Sequence, residues 1–175
     1  MGDRKLRIGL MLLAIGCAMA HWGGLEKAVQ AAVKADAPPA ATTTLPGYTG
    51  FSVDVTLSPK AMKKLVESKE TIIVVGYLSG NPRKGALKKF VDEMGQVDLG
   101  EIKAEIAPGM SAGFGEIKFL KDAYEQTDKK PQLLINVYSG RKSSPDNLLD
   151  CGIYEGDLLP IQAKSTPISC KLIGE

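Results

Sequence analysis

Thr71-Ile72-Ile73-Val74-Val75-Gly76-Tyr77-Leu78 decides the fold. A run this rich in β-branched residues, apolar at consecutive positions, is a strand buried on both faces, and it belongs at the centre of a sheet. Towards the N-terminus, Phe51, Val53, Val55 and Leu57 alternate with Ser52, Asp54 and Thr56. That period of two marks a half-buried strand. Between the two strands, Ser58 is placed to cap a short helix that has Pro59 at its first position. Met62, Leu65 and Val66 are its expected buried stripe.

Towards the C-terminus, Leu87, Phe90, Val91 and Met94 recur at helical spacing, which predicts a second short helix over 85–94. Val97 to Ile106 alternates again, and Phe114 to Leu120 reads as a further strand. Gln132 to Tyr138, Leu148 to Tyr154 and Ile168 to Ile173 complete a set of about seven strands. Strands separated by Gly/Pro turns, with two short helices as connections, predict a mainly β chain. The expected architecture is an antiparallel β-sandwich of the immunoglobulin-like or transthyretin-like kind. A mixed α/β fold is the alternative, because 51–78 and 71–106 both read strand–helix–strand. Both helices are near the minimum length for such crossovers.

Upstream of the domain the chain changes character. Met1 to Arg7 is a short basic opening with Arg4, Lys5 and Arg7 against a single acid, Asp3. An uncharged apolar run from Ile8 to Ala20 follows. This is the order of a secretory signal. Ala18-Met19-Ala20 is an A-x-A cleavage site that would leave His21 first. Leu13-Ala14-Ile15-Gly16-Cys17 resembles a bacterial lipobox, which makes Cys17 a lipidation candidate, and an uncleaved anchor is a third exit. Residues 21–47, rich in Ala, Pro and Thr, read as a flexible tether, and 48–175 as a single domain. The expected location is the periplasm, or the outer membrane as a lipoprotein.

The chain holds 22 Lys+Arg and 20 Asp+Glu. Residues 1–20 take away three basic residues and one acidic, leaving 19 of each. A neutral mature chain is not expected to bind nucleic acid, and it would meet a membrane only through an N-terminal lipid or anchor. Cys151 and Cys170 remain as an even pair in an oxidising compartment, and a disulfide between them is expected.

His21 is the chain's one His. With none after it, the domain cannot assemble a Ser-His-Asp or Cys-His arrangement, nor zinc ligands at His/Cys spacing. A copper brace at His21 would need a second His. No phosphate-loop or dinucleotide motif is present, and Asp146, Asn147 and Asp150 lack the spacing of a calcium loop. No metal, cofactor or catalytic residue is therefore expected.

Two strands end alike. Tyr77-Leu78-Ser79-Gly80-Asn81-Pro82-Arg83-Lys84 and Tyr138-Ser139-Gly140-Arg141-Lys142 both pass through Ser-Gly into a basic loop. If the strands run the same way, Ser79, Gly80, Arg83, Lys84, Ser139, Gly140, Arg141 and Lys142 share one end of the sandwich as partner-binding loops. Ser79-Gly80 and Ser139-Gly140 resemble the Ser-Gly loop that small exported lysozyme inhibitors push into an acidic catalytic cleft. The Tyr those inhibitors carry shortly after the Gly is missing, since Tyr138 precedes its Ser. The expected function is a non-enzymatic binding module of the bacterial cell envelope that contacts a protein partner through its loops. The resemblance implies the alternative of a periplasmic inhibitor or immunity protein against a cell-wall hydrolase. A carboxylate-based enzyme acting on glycans is the third reading, and it needs two carboxyls converging in a cleft.

Overall fold

The computed structural model describes residues 41–175. The expected export signal, the lipidation candidate Cys17 and the part of the expected tether up to residue 40 lie outside the described residues. The elements are β1 (Thr42–Thr44), β2 (Phe51–Leu57), α1 (Pro59–Glu67), β3 (Ile72–Pro82), β4 (Val97–Ile106) and β5 (Ser111–Phe114), then β6 (Lys118–Leu120), α2 (Lys121–Tyr124), β7 (Thr127–Ser139), β8 (Leu149–Cys151), β9 (Tyr154–Asp157) and β10 (Ser165–Leu172). The chain is mainly β, as the alternation predicts. Two four-stranded sheets, ordered β5-β2-β10-β8 and β4-β3-β7-β9, face each other across one core. Phe51, Val53 and Ile168 enter it from the first sheet, and Val74, Leu78 and Ile135 from the second. The central position expected for the Ile72 run is where β3 sits, between β4 and β7.

Four details differ from expectation. First, β2 and β10 run parallel, while the other strand pairs are antiparallel. A parallel pair needs a long crossover, and here almost the whole domain, from Ser58 to Lys164, is that crossover. Second, the helix expected over 85–94 is a single 3-10 turn at Lys88–Phe90. Phe90 and Val91 pack against the core, but Leu87 and Met94 are exposed, so the helical spacing there marks no buried face. Third, α1 buries Ala61 and Leu65, while Val66 faces solvent. Ser58 does cap it, accepting the Ala61 N–H at 3.1 Å. Fourth, the domain begins before 48. β1 pairs with β6, and Leu45 and Tyr48 pack on the core.

Cys151 and Cys170 face each other across β8 and β10 and are joined by a disulfide. The bridge ties the short edge strand β8 to the sheet and fits a chain that matures in an oxidising compartment. Among the described residues, no helix is long and apolar enough to cross a membrane.

Candidate functional site

The end of α1 builds the most unusual polar feature of the domain. Ser68 closes the helix, and Lys69 takes a left-handed conformation with φ 54°. The Lys69 N–H then reaches the Val66 carbonyl at 3.1 Å, and the Glu70 N–H reaches the Leu65 carbonyl at 2.8 Å. This pair of bonds is the Schellman arrangement, normally made with Gly at the left-handed position. It reverses the chain and turns Glu70 inward, where the residue is 2% exposed.

A buried carboxylate must be satisfied, and Glu70 is satisfied by the loop after β7. Its Oε1 accepts the N–H groups of Thr71 at 3.0 Å and Lys142 at 2.9 Å. Its Oε2 accepts the Ser143 N–H at 2.8 Å and the Ser143 hydroxyl at 2.6 Å. Burial pushes the Glu70 carboxyl up. The Ser143 hydroxyl and the N–H groups of Lys142, Ser143 and Thr71 outweigh it and bring the group down to about 2. Arg141 takes φ 58°, which brings the next two N–H groups round to one carboxylate. Gly140 donates to the Thr71 carbonyl at 2.7 Å. A Cβ there would overlap Thr71 Oγ1 and lie 3.3 Å from Glu70 Oε1.

The other end of the loop is fixed separately. Asn147 Oδ1 accepts from the Ser139 N–H at 2.9 Å, the Ser139 hydroxyl at 3.2 Å and the Leu149 N–H at 3.1 Å. Ser139 Oγ in turn accepts the Leu148 N–H at 2.9 Å. Lys142 pairs with Glu105 at 3.0 Å, and Thr71 Oγ1 donates to the same carboxylate at 2.8 Å. Those two hydrogen bonds lower the Glu105 pKa, the Thr71 one first. Arg141 is exposed and enters no ion pair among the described residues.

The eight residues expected to form one binding end do not come together. β3 and β7 are antiparallel, with Ile72 opposite Ser139 and Gly80 opposite Pro131. The two Ser-Gly pairs therefore sit at opposite ends of β3, eight residues apart, or roughly 27 Å at ~3.4 Å per residue. Ser79 and Gly80 lie within β3, not in a loop. Gly80 is buried, and a Cβ on it would meet Thr127 Cγ2 at 2.7 Å. Arg83 donates to the Glu125 carbonyl at 2.9 Å, the Lys84 carbonyl at 3.3 Å and Gln126 Oε1 at 3.4 Å, which fastens the β3 exit to the segment before β7. Lys84 is exposed. Ser139 is fully buried, so within its group Arg141 and Lys142 are the exposed side chains.

The residues that shape the loop, Glu70, Thr71, Ser143 and Asn147, carry no sequence signal of that role. Glu70 stands in Ser68-Lys69-Glu70-Thr71, which reads like any polar helix end. Among the described residues, no group of three or more His, Cys, Asp or Glu side chains is arranged to hold a metal ion. Neither a family model, a curated protein nor a solved structure matches this chain.

Proposed function

We propose that this chain is a non-enzymatic binding module of the bacterial cell envelope, exported to the periplasm or carried as an outer-membrane lipoprotein through Cys17. Its contact element is the loop from Gly140 to Asp146, and Arg141 is the residue that meets a protein partner. One observation carries this: of the four donors to a buried carboxylate, three come from an exposed loop, the Lys142 and Ser143 N–H groups and the Ser143 hydroxyl. Burying a charge is costly unless it is paired and hydrogen-bonded, and what this burial secures is the shape of the loop. A loop held in its bound conformation loses less entropy on binding.

The same rigidity favours a second reading, an inhibitor or immunity protein for a cell-wall hydrolase, because a stiff cationic loop suits an acidic cleft. Placing p-benzoylphenylalanine at the exposed Asp146 of the same loop and irradiating intact envelopes tests the contact. The expected result is one crosslinked protein, absent when the photoreactive residue stands at Lys164 instead. Arg141→Glu is expected to abolish capture of that protein, or protection against a hydrolase, with an unchanged melting curve. Capture that survives Arg141→Glu removes the loop from the interface.

A further inference from the structure

We infer that the outer face of the β4-β3-β7-β9 sheet is a second site, a groove for an extended cationic segment of a protein partner. It is independent of the loop. The register places two rows of side chains across the four strands. In one, Glu101 on β4, Tyr77 on β3, Leu134 on β7 and Glu155 on β9 stand side by side. In the next, the order is Asp98, Ser79, Gln132 and Asp157. Both rows have a carboxylate at each edge and uncharged side chains between. The edges are three strand spacings apart, about 14 Å.

The centre of this pattern is a concavity of about 600 Å³, lined by Tyr77, Leu134, Asp98 and Glu155 among others and by no Lys or Arg. That volume is in the range of ordinary ligand sites. Its apolar floor is solvent-accessible: Tyr77 is 44% exposed, Leu134 is 36% exposed, and Met94 at the rim is 86% exposed. A bulge sets the rim. Between Leu78 and Ser79 the register with β4 shifts, so that Asp98 opposes Ser79 while Leu99 stays in the core. Gly100 at φ 107° makes the bend, and its N–H is taken by Asp98 Oδ1 at 2.8 Å. Asp92 Oδ1 holds the N–H groups of Met94 and Gln96, both at 2.9 Å, which fixes the adjoining turn. None of Asp92, Asp98 and Glu155 is in an ion pair among the described residues.

Carboxylates on two sides of an apolar channel complement a chain that carries Lys or Arg at its flanks and apolar side chains at its centre. Tyr77 adds an aromatic face that attracts a cation, and the Ser79 hydroxyl and Gln132 amide can hydrogen-bond a peptide backbone. An extended peptide lying across the strands meets these groups, with its cationic flanks at the β4 and β9 edges and its apolar centre over Tyr77 and Leu134.

The experiment is a titration of the 15N-labelled full-length protein with acetyl-Lys-Leu-Leu-Leu-Lys-amide, whose end residues stand about 14 Å apart when extended, followed by amide chemical shifts. The expected shifts cluster at Tyr77, Ser79, Gln132, Leu134 and Glu155, and the Glu-for-Lys peptide causes none. Asp98→Asn combined with Glu155→Gln is expected to weaken binding at least tenfold, as is Tyr77→Ala, which tests the floor without altering charge. Arg141→Glu is expected to leave this titration unchanged, so failure here is separable from failure of the loop proposal. Shifts scattered over other faces, equal binding by the double variant, or groove shifts with chitotetraose but not with the cationic peptide would each overturn the inference.

Discussion

Glu70→Gln is the substitution that most directly tests how the loop is held. The Glu70 carboxyl stands at about 2 in the folded protein against an ordinary 4.5. At about 1.4 kcal/mol per pH unit, that difference is at most about 3.5 kcal/mol of stability, and roughly 3 kcal/mol once solvent screening beside an exposed loop is allowed for. A depressed carboxylate contributes it in full above pH ~4.5 and loses it as pH falls towards ~2. Gln removes the charge and offers one acceptor oxygen where four donors converge. Its amide nitrogen would face donors that it cannot satisfy. The expected cost at pH 7 is therefore about 2–4 kcal/mol.

Urea unfolding at a series of pH values measures both effects. The wild type is expected to lose stability between pH ~4.5 and ~2, and the variant is expected to lose less over the same window by roughly that 3 kcal/mol. Hydrogen exchange adds a local readout, because the Lys142 and Ser143 amides should lose protection before those of β7. A variant within about 0.5 kcal/mol of wild type at pH 7, the scatter of ordinary surface changes, would refute the role given to Glu70. So would an unchanged acid limb.

Three other contacts can be tested by stability alone. Reduction, or the double change Cys151→Ala and Cys170→Ala, is expected to lower stability by about 3 kcal/mol for a loop of this length; urea midpoints with and without reductant check it, and the double variant should ignore the reductant. Arg83→Ala is expected to cost about 1–2 kcal/mol, since it strips donors from Gln126 Oε1 and the Glu125 carbonyl; a variant of wild-type stability would make Arg83 an ordinary surface cation again. Gly50→Ala is expected to give little folded protein, because the new Cβ would overlap the Phe114 carbonyl oxygen at φ 89°; a normal soluble yield with a wild-type melting curve would contradict that geometry.

The strands were legible where burial follows a local period. β2 and β10 alternate, while β3 is apolar on consecutive positions because Ile73 and Val75 are buried on its outer face too. The disulfide was legible from the even cysteine count. The stretch 85–94 misled because its apolar spacing fits a helix, whereas Gly85 and Gly95 at φ 79° and 80° and the Asp92 turn break the backbone there. Strand direction was not legible. Nothing local says that β3 and β7 are antiparallel, and that one fact separates the two Ser-Gly segments. Glu70 was hidden for a related reason: its partners lie 72 and 73 residues further on.

Net charge bears differently on different partner classes. Nucleic acid binding needs many cations facing a phosphate backbone, whereas the loop presents Arg141 with Lys142 already paired to Glu105. Protein partners need only short, sorted patches of charge. The exposed Arg141 adjoins the C-terminal end of β7, while the acidic rows cross the middle of the same strand at Gln132 and Leu134. Neutrality here is a balance between separated patches. Steering by such patches is screened within about 10 Å at ~0.1 M salt, so association of the proposed partners at either patch is expected to slow as salt rises, while the folded sandwich itself changes little.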